Sequence, residues 1–377
     1  LIANQNDNLS LVRVINEPKR GIGAVSLNKL EELAIENETS MYNIIKNAVV
    51  YGINGSGKSN LIYAIMDITT HLTDFQKRED HYILLKNLNS SSKYAEFQYT
   101  FKFDNFDLVY KYKKASMNEI FDETVIINGE IVIYEDFKKN KRYVTLKGAE
   151  SLNVEKRDPK LSFVKYIFTN TKLEPDDKYN KVFLKFKEFV YGMLYFSSGT
   201  SEGNFYQGFK SGTDNIAATI IDKNNLNKLE EFLNSLDINY KLEAGEDLEG
   251  RKTINVKFKN RSVNIFSVAS HGTRVIIVFY YWLVLLKNVK FLVIDEFDAY
   301  YHNLVAIKLL ERVRESSVQS IFTTHNTSIM SNDFLRPDNY FVLHNNKVSD
   351  LSKLTNKELR IAHNLEKIYN AGAFYNE

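Results

Sequence analysis

The two ends of the chain share one hydrophobic pattern, in which short apolar runs alternate with segments of helical spacing. Near the start, Asn47 to Tyr51 predicts a buried strand, Gly52 to Gly57 a glycine-containing turn, and Lys58 to Asp67 a helix. From Gly272 onward the alternation returns and predicts a helix at Val275 to Lys287, a strand at Phe291 to Ile294, a helix at Asn303 to Arg314, and strands at Ser320 to Thr323 and Tyr340 to His344. Such alternation favours a largely parallel core sheet.

The middle of the chain has a different pattern, in which apolar and polar residues alternate one by one. Tyr94 to Lys113 alternates in this way with Asp104 and Asn105 at its midpoint, which predicts a β-hairpin. Three further strand-like pieces follow, at Glu123 to Ile127, Glu130 to Tyr134 and Arg142 to Leu146. We therefore expect an antiparallel lobe from Ser91 to about Leu146, which on the plainest interpretation only supports a site elsewhere.

The remaining segments are mostly helical in spacing. Helices are predicted at Leu161 to Thr169, Lys181 to Leu194, Asn215 to Leu236 and Leu354 to Tyr369, and two strands around a turn in Thr253 to Val268. The first two of these helices are expected to form a helical arm. The pattern divides the chain into a first lobe at residues 1–150, a helical insertion at 151–200 and a second lobe at 201–377.

Composition narrows the class of protein without naming one. The 377 residues carry a net charge of +2 and no cysteine, which excludes disulfides and thiolate metal sites and fits a reducing, cytoplasmic location. The longest apolar run, Val275 to Leu286, is too short to span a bilayer, and the polar stretch Asn4 to Asn8 does not fit a signal peptide. Because the chain begins at Leu1 rather than methionine, we expect an early strand to precede it.

A phosphate-binding loop is the strongest chemical signal. The run from Gly52 to Ser59 fits G-x-x-x-x-G-K-[ST] without a mismatch, and it has the strand before it and the helix after it that the motif requires. Glycines let backbone N–H groups turn toward phosphate oxygens, and the start of the helix favours the same anion. In this motif Lys58 reaches the β- and γ-phosphates, and the Ser59 hydroxyl ligates Mg²⁺.

A carboxylate pair follows a buried strand. Asp295 and Glu296 come directly after four apolar residues, and an unpaired charge at such a position is costly unless it has a partner. A metal ion supplies one. Asp295 is therefore predicted to hold Mg²⁺ opposite Ser59, and Glu296 to act as general base on the attacking water. His325, at the end of the strand Ser320 to Thr323, is predicted to contact the γ-phosphate at the same sheet edge.

The ordered set resembles the ABC-type ATPase head shared by ABC transporters, SMC proteins and OLD-like ATPases. Ser270-His271-Gly272-Thr273 is similar to the signature S-x-G-[TQ], Asp298 to the D-loop aspartate, and His325 to the switch histidine. The resemblance implies a P-loop NTPase of ABC-ATPase type, with a mostly parallel α/β core sheet, an antiparallel β lobe and a helical insertion. It also implies that Ser270, Gly272 and Thr273 contact a nucleotide held by a second copy of the chain.

A narrower resemblance is to bacterial stand-alone ATPases of phage-defence and abortive-infection loci. It rests on Tyr51 to Leu61, Asp295 to Asp298, Thr323 to Asn326 and the late segments Leu335 to Asp338 and Lys357 to Phe374. The nucleotide contacts that it implies are Gly52, Asn54, Gly55, Ser56, Gly57, Lys58, Ser59 and Asn60. The resemblance does not extend to residues 116–212, and no glutamine is clearly placed as a Q-loop residue. The cofactors implied are ATP and Mg²⁺.

Several functions are compatible with these motifs. The favoured hypothesis is an ATPase switch of an anti-phage system, active as a homodimer or higher homo-oligomer, that controls a separate effector such as a nuclease. An SMC-like DNA-repair or DNA-tethering ATPase stays open, with nucleic acid as a partner, although the chain has no room for long heptads. This hypothesis needs a basic face, and the small basic runs Lys111 to Lys114 and Lys138 to Arg142 are more often solvated surface than a DNA site. An ATP-dependent scaffold with little turnover is a third hypothesis. A transporter subunit fits poorly, since the sequence predicts no membrane segment and no membrane partner, and the antiparallel lobe and long inserts are unlike such a subunit.

Overall fold

The computed structural model describes residues 47–74, 77, 79–86, 90–152, 158–197, 205–208, 216–285, 288–300, 302–316, 318–345, 347–355, 359 and 363–374. Within these residues the chain forms two compact units. Unit 1 is Ser59–Met193, and unit 2 combines residues 47–58 with residues from Leu194 onward. The predicted three-part division, at residues 150 and 200, stays a prediction.

Fifteen strands and ten helices are named here in chain order. The strands are β1 (Asn47–Tyr51), β2 (Ala95–Phe103), β3 (Phe106–Ser116), β4 (Glu119–Ile127), β5 (Glu130–Asp136), β6 (Lys141–Val144), β7 (Met193–Ser197), β8 (Phe205–Gly208), β9 (Leu242–Glu246), β10 (Lys252–Lys257), β11 (Ser262–Asn264), β12 (Phe291–Asp295), β13 (Gln319–Thr324), β14 (Tyr340–His344) and β15 (Lys347–Asp350). The helices are α1 (Lys58–Thr73), α2 (Glu79–Leu85), α3 (Phe163–Asn170), α4 (Lys178–Tyr191), α5 (Ile216–Asp222), α6 (Leu226–Ser235), α7 (Ile265–Val268), α8 (His271–Leu285), α9 (Asn303–Glu315) and α10 (Leu365–Asn370).

A seven-stranded sheet forms the centre of unit 2, in the order β15-β14-β1-β13-β12-β7-β8. Strands β14, β1, β13 and β12 run parallel, while β15 and β8 pair antiparallel with β14 and β7 at the two edges. Val49 in β1 lies between Phe322 and Tyr340, and all three side chains are buried. The predicted parallel core is confirmed, and its four parallel strands bring their carboxyl ends to one edge of the sheet.

Helix α8 packs into the core of unit 2 on almost every side. Its residues from Val275 to Trp282 are all buried, which is the behaviour of a helix that is hydrophobic all round. Apolar residues of β12, β13, α9 and α10 belong to the same core cluster. The elements that carry the signature segment, Asp295 and His325 are thus held by one continuous core.

Unit 1 contains a five-stranded antiparallel sheet in the order β2-β3-β4-β5-β6. The predicted hairpin is confirmed, and Asp104 at its turn has a positive φ of 51°. The two helices predicted as an arm pack on this sheet instead. Phe186 and Phe189 of α4 contact Phe101 of β2, with ring centroids 5.2 and 5.5 Å apart, because the apolar face of α4 needs a buried surface.

Two groups of buried charged side chains connect α1 to the sheet of unit 1. In the first, Asp67 of α1 accepts hydrogen bonds from the Lys114 ammonium at 2.5 Å and from the Tyr112 hydroxyl at 2.6 Å. In the second, His71 lies 2.9 Å from Glu123. Glu123 also accepts from the Tyr110 and Ser162 hydroxyls and from the Phe163 amide. Each buried charge has a partner of opposite sign or several hydrogen bonds, as burial requires.

Several element boundaries differ from the prediction. The helix predicted to Leu194 ends at Tyr191, and the apolar residues after Gly192 form β7 instead. The helix predicted at Asn215 to Leu236 is two helices, since the positive φ of 52° at Asn224 interrupts it. Strands β9 and β15 were not predicted. Of the long helix predicted at Leu354 to Tyr369, only Leu365–Asn370 is α-helical among the described residues. Residues 1–46 and 198–204 lie outside the described residues.

No helix within the described ranges combines the length and the apolar composition that crossing a bilayer requires.

Candidate nucleotide site

The predicted phosphate loop connects β1 to α1 and contains three glycines that the geometry requires. Gly55 and Gly57 have positive φ values of 76° and 97°, a region that side chains with a Cβ rarely adopt. A Cβ at Gly52 would lie 2.5 Å from the Ser56 Oγ. That Ser56 oxygen is buried and has no hydrogen-bond partner among the described residues, so the loop holds an unmet polar group that fits a phosphate oxygen.

The Lys58 ammonium lies inside the loop. It donates to the Gly52 carbonyl at 2.8 Å and is 3.2 Å from the His325 Nδ1. Burial lowers the pKa of Lys58, while Asp295 and Glu296 oppose that effect. Lys58 is therefore a cation held inside the loop, and the negatively charged oxygens of a phosphate can replace its present partners.

Asp295 and Glu296 are held by one hydroxyl. Asp295 ends β12, is 3% exposed and accepts a hydrogen bond from the Thr323 Oγ1 of the neighbouring strand β13. The same oxygen accepts from the Glu296 backbone N–H at 2.9 Å. Glu296 has a positive φ of 48°, which turns its side chain away from the path of the strand and leaves it 39% exposed. Thr323 was not predicted as a site residue, although its position directly before Thr324-His325 is a signal that could have identified it.

His325 lies between Lys58 and Glu296. Its Nε2 is 4.0 Å from the Glu296 Oε1, and its Nδ1 faces the Lys58 ammonium. A lysine ammonium only donates hydrogen bonds, so Nδ1 must accept and the ring proton of neutral His325 is on Nε2. The structure thus brings three of the predicted residues together in a line, with an N–H of His325 on the side of Glu296.

Asp298 turns toward the end of β13. The Thr324 Oγ1 lies 2.8 Å from both carboxylate oxygens of Asp298, and it accepts from the Asn326 backbone N–H at the same distance. Burial raises the pKa of Asp298, and the Thr324 hydrogen bond opposes this. Asp298 is therefore hydrogen-bonded to the last residue of β13, which directly precedes His325.

The signature segment begins helix α8. The Ser270 Oγ accepts from the Thr273 backbone N–H at 3.2 Å and lies 2.9 Å from the Thr273 Oγ1, which closes the first turn of the helix. Ser270 itself is exposed. Gly272 approaches the backbone of Tyr300 so closely that a Cβ would lie 2.4 Å from its carbonyl oxygen. This close approach requires glycine, in agreement with the motif.

The remaining predicted residues lie at the loop or just after it. Asn54 and Asn60 are exposed, and Ser59 follows Lys58 in the first turn of α1. Among the described residues, no cluster of three or more histidine or carboxylate side chains is arranged as a metal site. Mg²⁺ bound with a nucleotide needs only one or two protein ligands, because phosphates and water complete its coordination. Ser59 and Asp295 therefore stay predicted Mg²⁺ ligands.

Comparison with known families decides the class. The family model described as "AAA domain, putative AbiEii toxin, Type IV TA system" matches residues 48–331, about three quarters of the chain. The chain belongs to this AAA family. The matched range runs from β1 through β13 and so includes the phosphate loop, the signature segment, the carboxylate pair and His325. The AAA family consists of P-loop NTPases, and the parallel sheet and loop described above agree with that fold.

Similarity to individual curated proteins is local. The chain is 40% identical over 75 residues to DNA helicase II of Rickettsia typhi, which is 20% of this chain and 11% of that protein. It is 43% identical over 54 residues to the ATP-dependent DNA helicase PcrA of Staphylococcus aureus, or 14% of this chain and 7% of that protein. The chain thus spans about a tenth of the length of these relatives.

Similarity to solved structures is broad in coverage but weak in geometry. The SMC head domain from Thermotoga maritima is 16% identical, covers 78% of this chain and 85% of its own, and gives a TM-score of 0.37. An SMC head bound to the C-terminal winged-helix domain of ScpA is 16% identical, with 82% and 92% covered and a TM-score of 0.41. RecF with ATP is 13% identical, with 81% and 93% covered and a TM-score of 0.33. At such TM-scores these likenesses support no functional assignment.

Proposed function

We propose that this AAA-family protein is a Mg²⁺-dependent ATP-binding and ATP-hydrolysing switch. The observation that carries the proposal is the line of side chains from Lys58 through His325 to Glu296, which starts inside the phosphate loop and ends at an exposed carboxylate. A site that only bound nucleotide would need the loop but not the base. A hydrolytic site needs both, placed on the two sides of the phosphate that reacts.

Phosphate binding is proposed to exchange the partners of Lys58. The ammonium now donates to the Gly52 carbonyl, and it would transfer to the β- and γ-phosphate oxygens. The buried Ser56 hydroxyl, which has no partner among the described residues, would donate to the same group. Release of Lys58 also frees the His325 Nδ1, so nucleotide binding and the orientation of the histidine are coupled.

Hydrolysis is proposed to use Glu296 as base. Its exposed carboxylate takes a proton from the attacking water, while the His325 Nε2–H donates to the charge that develops on the γ-phosphate. Mg²⁺, when bound by Ser59 and Asp295, supplies charge neutralisation on the phosphate oxygens. Thr323 fixes the two carboxylates relative to each other, because its single hydroxyl contacts Asp295 and the Glu296 backbone together.

A second copy of the chain is proposed to complete the site. Ser270 is exposed at the start of α8, and the resemblance to ABC-type heads implies that Ser270, Gly272 and Thr273 contact the nucleotide of the partner. The assembly would then be a homodimer or higher homo-oligomer that closes with ATP and opens after hydrolysis.

The biological role proposed is that of the ATPase regulator of a bacterial anti-phage system with a separate effector, such as a nuclease. The motif resemblance to abortive-infection ATPases supports it, and so does the family description, which names a putative toxin of a type IV toxin–antitoxin system. On this proposal the signal that activates the system changes the ratio of ATP-closed to open assemblies, and the effector responds to that ratio.

The alternative of a DNA-repair or DNA-tethering ATPase has one supporting observation, the local similarity to proteins named DNA helicases. The two small basic runs do not support it, because several of their charges already have partners within unit 1. Lys114 is buried against Asp67, Lys113 lies 3.5 Å from Asp122, and Lys139 lies 3.2 Å from Asp136. Strong, salt-dependent binding to DNA would restore this alternative.

The test is to measure ATP hydrolysis and particle mass for wild type and Glu296→Gln with ATP and Mg²⁺. Loss of the base should lower turnover by roughly 10²- to 10⁴-fold and leave an ATP-bound assembly that no longer opens. Glu311→Gln, the same substitution at an exposed position of α9, is the matched control and should behave as wild type. Unchanged turnover in Glu296→Gln would contradict the site assignment. An assembly that forms without turnover in the wild type would favour the scaffold hypothesis.

A further inference from the structure

The signature segment and the turn after Glu296 touch each other within one chain. Gly272, in the first turn of α8, faces the carbonyl group of Tyr300, and a Cβ at this glycine would lie 2.4 Å from the oxygen and 3.4 Å from the carbon of that carbonyl. Both partners in this contact are backbone, so neither can move aside by changing a rotamer. The position of Gly272 therefore limits where Tyr300 can lie.

A second contact joins the same two segments through side chains. The rings of His271 and Tyr300 meet edge to face, with centroids 4.2 Å apart and planes at 63°. Both residues are exposed, and Tyr300 keeps 40% of its surface accessible. Burial in the core of unit 2 therefore does not explain the contact, which connects two surface segments that each lie beside a predicted site residue.

Tyr300 ends a short turn that begins at Glu296. The Ala299 N–H donates to the Glu296 carbonyl at 3.1 Å, which closes the turn, and Glu296 at its start has a positive φ of 48°. The start of the turn is fixed by the Thr323 hydroxyl, which accepts from the Glu296 backbone N–H. Its end is fixed by His271 and Gly272. The proposed base therefore lies on a turn whose far end is held by the signature segment.

We infer that His271 and Tyr300 are positioning residues, which transmit engagement of the signature segment by a second copy's nucleotide to Glu296 of their own chain. The inference rests on the proposed function and adds a direction to it. A chain whose signature is engaged has its own base placed for hydrolysis, so the two sites of a pair act together rather than independently. Neither residue touches the reacting atoms; each acts through the turn.

The experiment compares His271→Ala, Tyr300→Ala, the double variant and Tyr300→Phe with wild type, by steady-state ATP hydrolysis. Each alanine variant should lower kcat about tenfold. The kcat of the double variant should be no lower than that of the less active single variant, since both residues act through one contact. KM for ATP should stay within about twofold, because the phosphate loop is untouched. Tyr300→Phe keeps the ring and should retain wild-type kcat. Phe258→Ala, which removes an exposed aromatic ring from the connection between β10 and β11 in unit 2, is the matched control and should also retain wild-type kcat.

Amide hydrogen exchange of Ala299 without nucleotide gives a second readout, which does not depend on hydrolysis. Exchange at Ala299 should be at least about threefold faster in both alanine variants, because the turn that closes on Glu296 loses its distal support. Unchanged kcat with unchanged exchange, additive losses in the double variant, or equal loss in Tyr300→Phe and Tyr300→Ala would overturn the inference. If wild type does not hydrolyse ATP but exchange responds as expected, the proposed function fails while the positioning contact stands.

Discussion

Replacing Lys114 with methionine removes one half of an ion pair that is closed to solvent. The side chains of Lys114 and Asp67 are each 1% exposed, and among the described residues the Asp67 carboxylate keeps only the Tyr112 hydroxyl as a donor once the ammonium is gone. Breaking one side of such a pair costs about 3–5 kcal/mol, because the remaining charge is buried without compensation. We expect unit 1 of the Lys114→Met variant to be destabilised by this order of magnitude at neutral pH.

Proton uptake by the remaining carboxyl group sets an upper limit on this loss of stability. A buried aspartate without its partner can become neutral by binding a proton, which at pH 7 costs about 4 kcal/mol for a carboxyl group of ordinary pKa. For the reverse variant, Asp67→Asn, the orphan Lys114 can lose its proton at a cost of about 5 kcal/mol from the ordinary lysine pKa. Burial already lowers the pKa of Lys114, with Asp67 as the main opposing effect, so removal of Asp67 should lower this pKa further.

The two single variants should therefore depend on pH in opposite directions. For Lys114→Met the penalty shrinks as pH falls, by about 2 kcal/mol between pH 7 and about 5.5, because the orphan acid is protonated more easily. For Asp67→Asn it shrinks as pH rises, by a similar amount between pH 7 and about 8.5. The double variant has neither charge and should show little pH dependence. Its destabilisation should be well below the sum of the two single values.

Urea unfolding followed by circular dichroism at these three pH values measures all four proteins. The free energy of unfolding should change with pH in opposite directions in the two single variants and stay nearly constant in the double variant. The coupling free energy between the two substitutions should be at least about 2 kcal/mol. Slopes of the same sign, or single variants within about 1 kcal/mol of wild type at pH 7, would refute the reasoning that unit 1 contains an ionised and desolvated pair.

Three further outcomes are expected. Gly57→Ala should weaken binding of a fluorescent ATP analogue at least about tenfold, because a φ of 97° strains any residue with a Cβ; Gly129→Ala, at a φ of 83° in a hairpin turn, is the control and should bind normally. Thr323→Val should lower kcat at least about tenfold without changing KM, since it removes the hydroxyl that donates to the Asp295 carboxylate and accepts from the Glu296 backbone N–H. Burial alone would raise the pKa of Glu123, but the hydrogen bond and charge of His71 keep this pKa below its ordinary value. The ionised carboxylate therefore stabilises the fold at pH 7, so Glu123→Gln should destabilise there and differ least from wild type once acid has protonated Glu123, as measured by urea unfolding.

Much of unit 2 was predictable because the local hydrophobic pattern specifies its strands and helices. The bounds predicted for β1 and β14 are those observed, and the predicted start of α1 at Lys58 is also confirmed. The failures occur where local and tertiary signals compete. Helical spacing continued through Gly192 into Met193, yet the apolar residues that follow are better buried as a strand of the main sheet.

The buried charges of unit 1 could not be predicted from residue type alone, since lysine and glutamate usually mark an exposed face. One signal was present, because Lys114 is in phase with Leu108, Tyr110 and Tyr112 along β3, and all four side chains are buried. Its partner Asp67 lies on a helix nearly fifty residues earlier, and no local pattern specifies that pairing. Thr323 was missed in the same way, since its role depends on its neighbours in β12.

The register of β1 has a consequence for synthesis of the chain. Both neighbours of β1 come late, and the hydrogen bond between Asn47 and Ser320 closes a loop of 273 residues. Contacts this distant in sequence form slowly and only after the intervening chain exists. On the ribosome, Val49, Val50 and Tyr51 must wait unpaired while unit 1 is made. A nascent chain that stops before β13 lacks both strands that flank β1, the strand that precedes the phosphate loop. We therefore expect only nearly complete chains to bind nucleotide.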